Sequence, residues 1–283
     1  MKNKKLNLKK MKKLTVILAA VLFISTLFAQ EKKDTTTFKI GKSTIIIISD
    51  KDALVKIENG DTINSDDNDS CEKNKFDGHW GGFDIGLNGF LNNNNSFSLN
   101  STDQFLNLNQ AKSWTFSLNF AEFNIGIIKK HIGLVTGAGL QFNNYRFDKN
   151  ISLIGDSAKL TSYTDTVLKF QKNKMVVTYL TIPLLLEFQL PVNGHEDIVH
   201  LSGGIIGGLR IGTHTKQVFD INGNENKEKQ REDFHLSPIT YALTGRLGYN
   251  GVSVFVNYSL SSLLKSNEGP EVYPWSAGLS FSF

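Results

Sequence analysis

Most of the sequence after residue 78 consists of segments, about ten residues or longer, in which apolar and polar residues alternate. A period of two places one set of side chains on each face of a β-strand. Residues 175–190 show the pattern best, since apolar side chains occupy even positions from 180 to 190, whereas Thr181, Glu187 and Gln189 occupy odd ones. No later stretch approaches the ~18 consecutive apolar residues of a membrane-spanning helix. The alternation predicts an all-β fold with one face toward apolar and one toward polar surroundings.

Eight such segments can be delineated, at 79–91, 113–126, 131–143, 175–190, 198–213, 238–249, 252–263 and 273–283. Up to Phe120 the apolar residues of the second segment occupy even positions, and from Phe123 they occupy odd ones. This change predicts a β-bulge near Ala121 and Glu122. Asn250 followed by Gly251 predicts a tight type I′ turn. The pieces SFSLN and FLNLN in the first long connection leave ten strands as an alternative.

The connections alternate in length. The links after the first, third, fifth and seventh segments are long or polar (92–112, 144–174, 214–237 and 264–272), whereas those between are short. Aromatic residues at segment ends, such as Trp114 and Trp275, suit the two interfaces of a membrane. We therefore predict a transmembrane, antiparallel, up-and-down β-barrel over residues 79–283, with both termini on the periplasmic side of an outer membrane. The alternative is a soluble β-barrel or sandwich with these aromatic residues in its core.

Residues 1–29 have the parts of an export signal: a lysine-rich start, an apolar run over 14–28 and Ala29 before a polar stretch. The apolar run is shorter than the ~20 residues of a spanning helix, so cleavage after Ala29 is preferred to a retained anchor. Met11 is an alternative start to Met1. Without the seven lysines of the signal, the 31 Lys and Arg fall to 24 against 27 Asp and Glu, a net charge of −3. The basic character of the whole chain is thus no argument for nucleic-acid binding.

Residues 30–78 precede the predicted barrel. The pieces TTTFKIGKSTIIIIS and ALVKIENGDTI indicate short strands, and NSDDNDSCEKNK indicates an acidic linker. We interpret this stretch as a periplasmic extension, with a loosely ordered segment and a docking point for a periplasmic protein as the two alternatives for its role. Cys71 is the only cysteine and therefore forms no internal disulfide.

Sites for chemistry are not indicated. The six histidines are scattered singly, which predicts no metal site, and no cofactor-binding pattern is present. His214, His235 and Ser237 suggest a hydrolase or acyltransferase at the barrel rim, but no nucleophile-elbow motif accompanies them. We therefore predict no catalytic residues and no enzyme.

Four charged residues are predicted to face the lumen. Asp84, Glu187 and Arg246 fall in its periplasmic half and Arg210 nearer the outside. An eight-stranded barrel has an interior that side chains can fill, so a network of Asp84, Glu187 and Arg246 is expected to plug it. A narrow pore lined by these groups is the alternative.

The pieces GHWGGFDIGLNGFLN, YLTIPLLLEF, WSAGLSFSF and TTTFKIGKSTIIII resemble the PorT-like outer-membrane β-barrel domain proteins of Gram-negative bacteria. The likeness covers most of the chain after residue 29, but its motifs are strand patterns. It implies a barrel without a common catalytic site, and the association of PorT itself with protein secretion does not transfer with the barrel. Phe281 and Phe283 end the chain in a pattern similar to the signal that the barrel-assembly machinery recognises.

These features together predict a non-enzymatic outer-membrane protein with a structural or interaction role. Its expected partners are outer-membrane lipids and, during biogenesis, the assembly machinery. A component of protein secretion or transport is the alternative function.

Overall fold

The computed structural model describes residues 35–40, 43–48, 76–192 and 197–283, and for 35–48 the backbone alone. These residues divide into two units, one within Met1–Asp67 and the other within Asn68–Phe283. The predicted signal peptide, Cys71 and the acidic linker before residue 76 lie outside the described residues.

The described part of the first unit is a pair of antiparallel strands, β1 (Thr35–Ile40) and β2 (Ser43–Ile48). Thr35 lies opposite Ile48, and Ile40 opposite Ser43. The TTTFKIGKSTIIIIS piece thus forms two strands by itself. The second piece, ALVKIENGDTI, lies outside the described residues.

The second unit consists of strands and two short 3-10 helices, Gln104–Leu106 and Gln110–Lys112. Its strands are β3 (Gly82–Asn92), β4 (Trp114–Ile128), β5 (Ile132–Arg146), β6 (Ile151–Ile154), β7 (Thr161–Thr164), β8 (Phe170–Val192), β9 (Asp197–Ile221), β10 (Asn224–Gln230), β11 (Ile239–Tyr249), β12 (Val252–Ser259) and β13 (Val272–Ser282). Eight of them form a closed antiparallel ring in the order β3, β4, β5, β8, β9, β11, β12, β13, with β13 pairing again with β3.

The ring confirms the prediction of an eight-stranded antiparallel barrel. The FLNLN piece does not add a strand, because residues Gln104–Leu106 form a 3-10 helix. The predicted bulge is present one residue earlier: Asn119 pairs with Gly139 and Ala121 with Ala138, so Phe120 is the extra residue.

A two-residue link joins β11 to β12, as predicted, but it is not a type I′ turn. Asn250 has a φ of 50°, whereas Gly251 is not among the described residues with positive φ, and a type I′ turn needs positive φ at both positions. Asn250 is bonded to the neighbouring strand: its N–H donates to the Ile198 carbonyl, and the Ile198 N–H donates to Asn250 Oδ1, both at 2.8 Å.

The two faces of the ring have opposite polarity. On β12, Val254 and Val256 point outward and are exposed, whereas Ser253 and Asn257 point inward and are buried. Soluble proteins bury their apolar side chains, and a continuous apolar exterior around a polar interior is the arrangement of a transmembrane barrel. The soluble alternative is therefore wrong. Among the described residues, no helix is long and apolar enough to cross a membrane.

The ring has two distinct ends. We call the end that carries Asn250 and Gly251 the turn end, and the opposite end, with the long connections, the loop end. At the loop end β8 and β9 run through residues 170–174 and 214–221, which the sequence predicted as loops, and β10 pairs with the extension of β9. The prediction missed them because the apolar alternation ends where lysines replace the outward-facing apolar residues. β12 conversely ends at Ser259, before the predicted residue 263.

Candidate functional site: the lumen of the barrel

A segment ahead of the first ring strand, residues 76–81, closes the lumen at the turn end. Phe76 and Trp80 are almost completely buried. The Phe76 ring occupies the space left by Gly133, where a Cβ atom would lie 2.4 Å from that ring. The backbone N–H groups of Trp80, at 2.7 Å, and Gly81 donate to one carboxylate oxygen of Glu122. This segment, which we call the plug segment, is thus anchored by both packing and hydrogen bonds.

Asp84 and Arg246 form a buried ion pair inside the ring. Arg246 Nη1 donates to Asp84 Oδ1 at 3.2 Å, and Nη2 donates to Oδ2 at 2.8 Å. Arg246 Nη1 also donates to Ser280 Oγ at 3.0 Å. The guanidinium lies 4.6 Å from the centre of the Trp80 ring, within the range of a cation–π contact. The pair therefore connects β3, β11 and β13 with the plug segment.

Glu187 has different partners from those predicted. His79 Nδ1 lies 2.7 Å from Glu187 Oε1, and Gln189 Nε2 donates to the same oxygen at 2.7 Å. The His79 ring stacks on His200 at 3.8 Å between centroids, and His200 Nε2 lies 2.8 Å from Ser253 Oγ. Within the described residues no salt bridge joins Glu187 to Arg246.

The interior charges thus form two separate groups in place of one predicted network. Arg246 pairs with Asp84, and Glu187 pairs with His79, which in the sequence is one of six scattered histidines. The sequence predicts a first strand from residue 79, but β3 begins at Gly82. His79 lies in the three residues before it, and periodicity alone does not indicate that this stretch folds back into the ring.

Arg210 lies at the loop end and contacts neither group. Its guanidinium donates to the carbonyl oxygens of Ser237 at 3.3 Å and Leu236 at 3.2 Å, and it lies 3.7 Å from the Asp233 carboxylate. Arg210 therefore fixes the connection between β10 and β11 to β9.

An apolar cluster closes the lumen at the loop end. It contains fifteen buried side chains from the ring strands and the connections above them. Its members are Phe90, Leu106, Tyr145, Phe147, Ile151, Leu153, Leu160, Met175, Val177, Tyr179, Phe234, Leu236, Leu263, Leu264 and Val272. Between this cluster and the plug segment, the interior holds a cavity of about 50 Å³, bordered by polar residues such as Asn143 and Asn257. A polar cavity of this size has room for water.

The long connections are joined to one another above the apolar cluster. Leu108 forms a β-bridge with Phe147, and Leu236 forms one with Leu264. The Leu160 N–H donates to the Glu268 carbonyl at 2.8 Å. The connections thus form a single cap, which we call the loop cap.

The three residues that suggested a hydrolase make no hydrogen bond to one another among the described contacts. His235 Nδ1 lies 2.8 Å from Glu268 Oε2, Ser237 Oγ donates to the Ile239 carbonyl at 2.9 Å, and His214 lies on the outer face of β9. Among the described residues, no group of three or more His, Cys, Asp or Glu side chains is arranged to hold a metal ion.

The predicted assembly signal lies at the seam of the ring. The Phe281 ring stacks on Phe83 of β3 at 5.0 Å, and the two residues are directly paired. Phe283 has 92% of its surface exposed, and its N–H donates to the Gly81 carbonyl at 3.2 Å.

The fold and the lumen define a class: closed, eight-stranded, transmembrane-type β-barrels with a filled interior. No protein-family model matches the chain, and no curated protein matches it. A solved structure, Ail, the attachment invasion locus protein of Yersinia pestis, matches at 14% identity and a TM-score of 0.27, covering 71% of this chain and 97% of that one. The class assignment rests on the strand pairing and the polarity of the two faces.

Proposed function

We propose that this protein is a non-conducting, non-enzymatic component of a bacterial outer membrane that acts as a structural or interaction protein through its loop cap. The observation that carries the proposal is the closure of the lumen at both ends, by the plug segment and by the apolar cluster. A filled interior leaves the surface of the barrel as the part available for function.

The apolar exterior and the predicted export signal support the outer-membrane location. The connection lengths support placing the turn end in the periplasm, because outer-membrane barrels have short periplasmic turns and longer extracellular loops. With an even number of ring strands, the plug segment and Phe283 then both lie at the periplasmic end. Residues 30–78 would accordingly face a periplasmic partner.

The linked connections of the loop cap support an interaction role. Ordered loops bind a partner at a smaller entropic cost than mobile loops, because less conformational freedom is lost on binding. The strand motifs that resemble PorT-like proteins support membership of that group, and they carry no information on which partner is bound.

Conductance measurements on the full chain in planar lipid bilayers test the proposal. We expect no discrete channel openings from protein whose insertion is established by a heat-dependent shift in gel mobility. A variant with Phe76→Ala and Trp80→Ala should also fail to conduct, since the apolar cluster still closes the loop end. Steady openings of the unmodified protein would refute the closed-lumen proposal and favour the narrow pore.

A further inference from the structure

Four cations lie in one row across the outer surface at the loop end. Arg146 on β5 is directly paired with Lys174 on β8, Lys174 with Lys216 on β9, and Lys216 with Lys229 on β10. We call these four residues the cationic row. Like charges directly opposite one another on neighbouring strands are destabilising, so a bound anion would stabilise an uninterrupted row of this kind.

The described part of the protein supplies little compensating negative charge: Glu225 on β10 is near enough for its charge to interact with Lys216, but its own ion pair is with Lys227. None of the four residues forms an ion pair with a described carboxylate. Their hydrogen-bond acceptors are neutral: Lys174 donates to Asn144 Oδ1, and Arg146 donates to the Gln171 carbonyl. Neutral acceptors orient the cations but leave their charge in place.

The cationic row directly borders the apolar exterior. The next outward-facing row toward the turn end contains Trp114, paired with Asn144, and Val176, paired with His214. Beneath it, Phe116 pairs with Phe142. From the turn end to the loop end, the outer surface thus changes from an apolar band to an aromatic side chain and then to cations. The same order is found in a bilayer, from its hydrocarbon core through the interface to the headgroups.

The cations and the aromatic side chains line a common groove. It has a volume of about 350 Å³, and its walls include Trp114, Phe116, Phe142, Lys174, Lys216 and Lys229. Lys174 Nζ lies 5.9 Å from the centre of the Trp114 ring. The groove therefore presents positive charge at one side and apolar surface at the other, which is the polarity of an anionic lipid.

We propose that the cationic row binds the phosphate groups of a membrane lipid, whose acyl chains lie along Trp114, Phe116 and Phe142. This inference rests on the proposed membrane location. Phosphate matches the row because guanidinium and ammonium groups form charge-assisted hydrogen bonds with its oxygens. Four aligned cations favour a headgroup that carries more than one phosphate charge, and the adjoining apolar surface favours a lipid over a free anion.

The test uses the full chain in nanodiscs of phosphatidylcholine that contain a small fraction of bisphosphorylated lipid A. Native mass spectrometry after gentle detergent release measures how much lipid A stays bound. The test variant combines Lys174→Gln, Lys216→Gln and Lys229→Gln. The matched control combines Lys149→Gln, Lys159→Gln and Lys169→Gln. These three lysines are exposed and lie on the loop connections, and their substitution removes the same amount of charge.

We expect lipid A retention to fall on the order of tenfold or more in the test variant, since each charge-assisted hydrogen bond contributes substantially to binding, and to stay near the unmodified value in the control. Equal loss in both variants would show a general charge effect and overturn the site. Displacement of lipid A by inorganic phosphate would overturn the proposal that the ligand is a lipid and would indicate a site for a free anion.

The two proposals fail in different ways. A protein that enters nanodiscs with a heat-dependent gel shift but retains lipid A equally in all three forms contradicts the lipid site alone. A protein that does not enter the nanodiscs contradicts the membrane location, and the lipid site with it.

Discussion

At the scale of single residues, the interior is organised by which charges find partners across the ring. The side chains of Asp84 and Arg246 are 3% and 1% exposed, so neither charge can be satisfied by bulk solvent if its partner is removed. Breaking one member of a buried pair leaves an uncompensated charge, which typically costs about 3–5 kcal/mol. The stability of the fold should therefore depend strongly on this pair, although it contains only two of the four predicted lumen charges.

Arg246→Ala is expected to lower the free energy of unfolding by about 3 kcal/mol. The measurement is urea unfolding of the lipid-embedded barrel, followed by its gel mobility. Asp84→Ala should cost a similar amount, and the double variant should cost clearly less than the two single changes added, because it removes both charges together.

Arg231→Ala is the matched control, since Arg231 is exposed and such surface changes usually shift the free energy of unfolding by less than about 0.5 kcal/mol. Unfolding energies that add for Asp84 and Arg246 would disprove the coupling between them.

The lumen charges also show what a sequence can predict about a site. The alternation along each strand was enough to place Asp84, Glu187 and Arg246 inside, because it decides locally which side chains face the lumen. Their partners depend on which strands face each other across the closed ring and on whether residues 76–81 enter it. Neither is encoded in periodicity, so the pairing of Glu187 with His79 was not predictable.

At the scale of elements, the loop end differs most from expectation. The ring portions of the strands were predictable because the membrane imposes an alternating pattern on them. Beyond the apolar band that constraint ends, and β8, β9 and β10 continue as paired strands with polar residues on the outer face. The lack of outward-facing apolar residues at 214–221 therefore predicts a loop, although the pairing of Phe170 with Phe219 continues the sheet.

The loop cap is expected to loosen in acid. The hydrogen bond from His235 holds the pKa of the exposed Glu268 carboxylate below its ordinary value of 4.5, with Lys265 contributing. Because the folded-state pKa is depressed, the stabilisation is fully present above about pH 4.5 and is lost as the pH falls through the lower folded-state value.

Hydrogen exchange of residues 260–271 measures this effect. Exchange should accelerate as the pH is lowered below that value, after correction for the intrinsic pH dependence of exchange. Glu268→Gln should remove the acceleration, and an unchanged acid response in that variant would assign it to another group.

At the scale of the whole molecule, the chain ends where the ring closes. Every residue of β13 from Val272 to Ser282 pairs with β3, so the two elements most distant in the barrel sequence are neighbours in space. Contacts of such large sequence separation generally slow folding. Phe283 lies beyond this seam, and its side chain is largely free of the barrel.

Phe283→Ala should therefore separate assembly from stability. Because the residue is 92% exposed, the substitution should change the free energy of unfolding of the purified barrel by less than about 0.5 kcal/mol. Insertion into the outer membrane of living cells, measured as the heat-shifted fraction, should fall markedly if the residue is part of the assembly signal.

Phe281→Ala is the comparison, because Phe281 packs on Phe83 and its loss should reduce stability as well. Normal insertion of Phe283→Ala in cells would contradict a recognition role for the last residue.

The pairing of β13 with β3 has a consequence for how cells dispose of damaged copies. A chain that lacks its final dozen residues, through premature termination or proteolytic trimming, retains seven ring strands and exposes two unpaired edges in place of none. Unpaired edges in an apolar bilayer leave backbone groups without hydrogen bonds, and in water they recruit other chains. Molecules without β13 are therefore expected to aggregate or to be degraded. The pairing of β13 with β3 thus makes the whole barrel depend on an intact last strand.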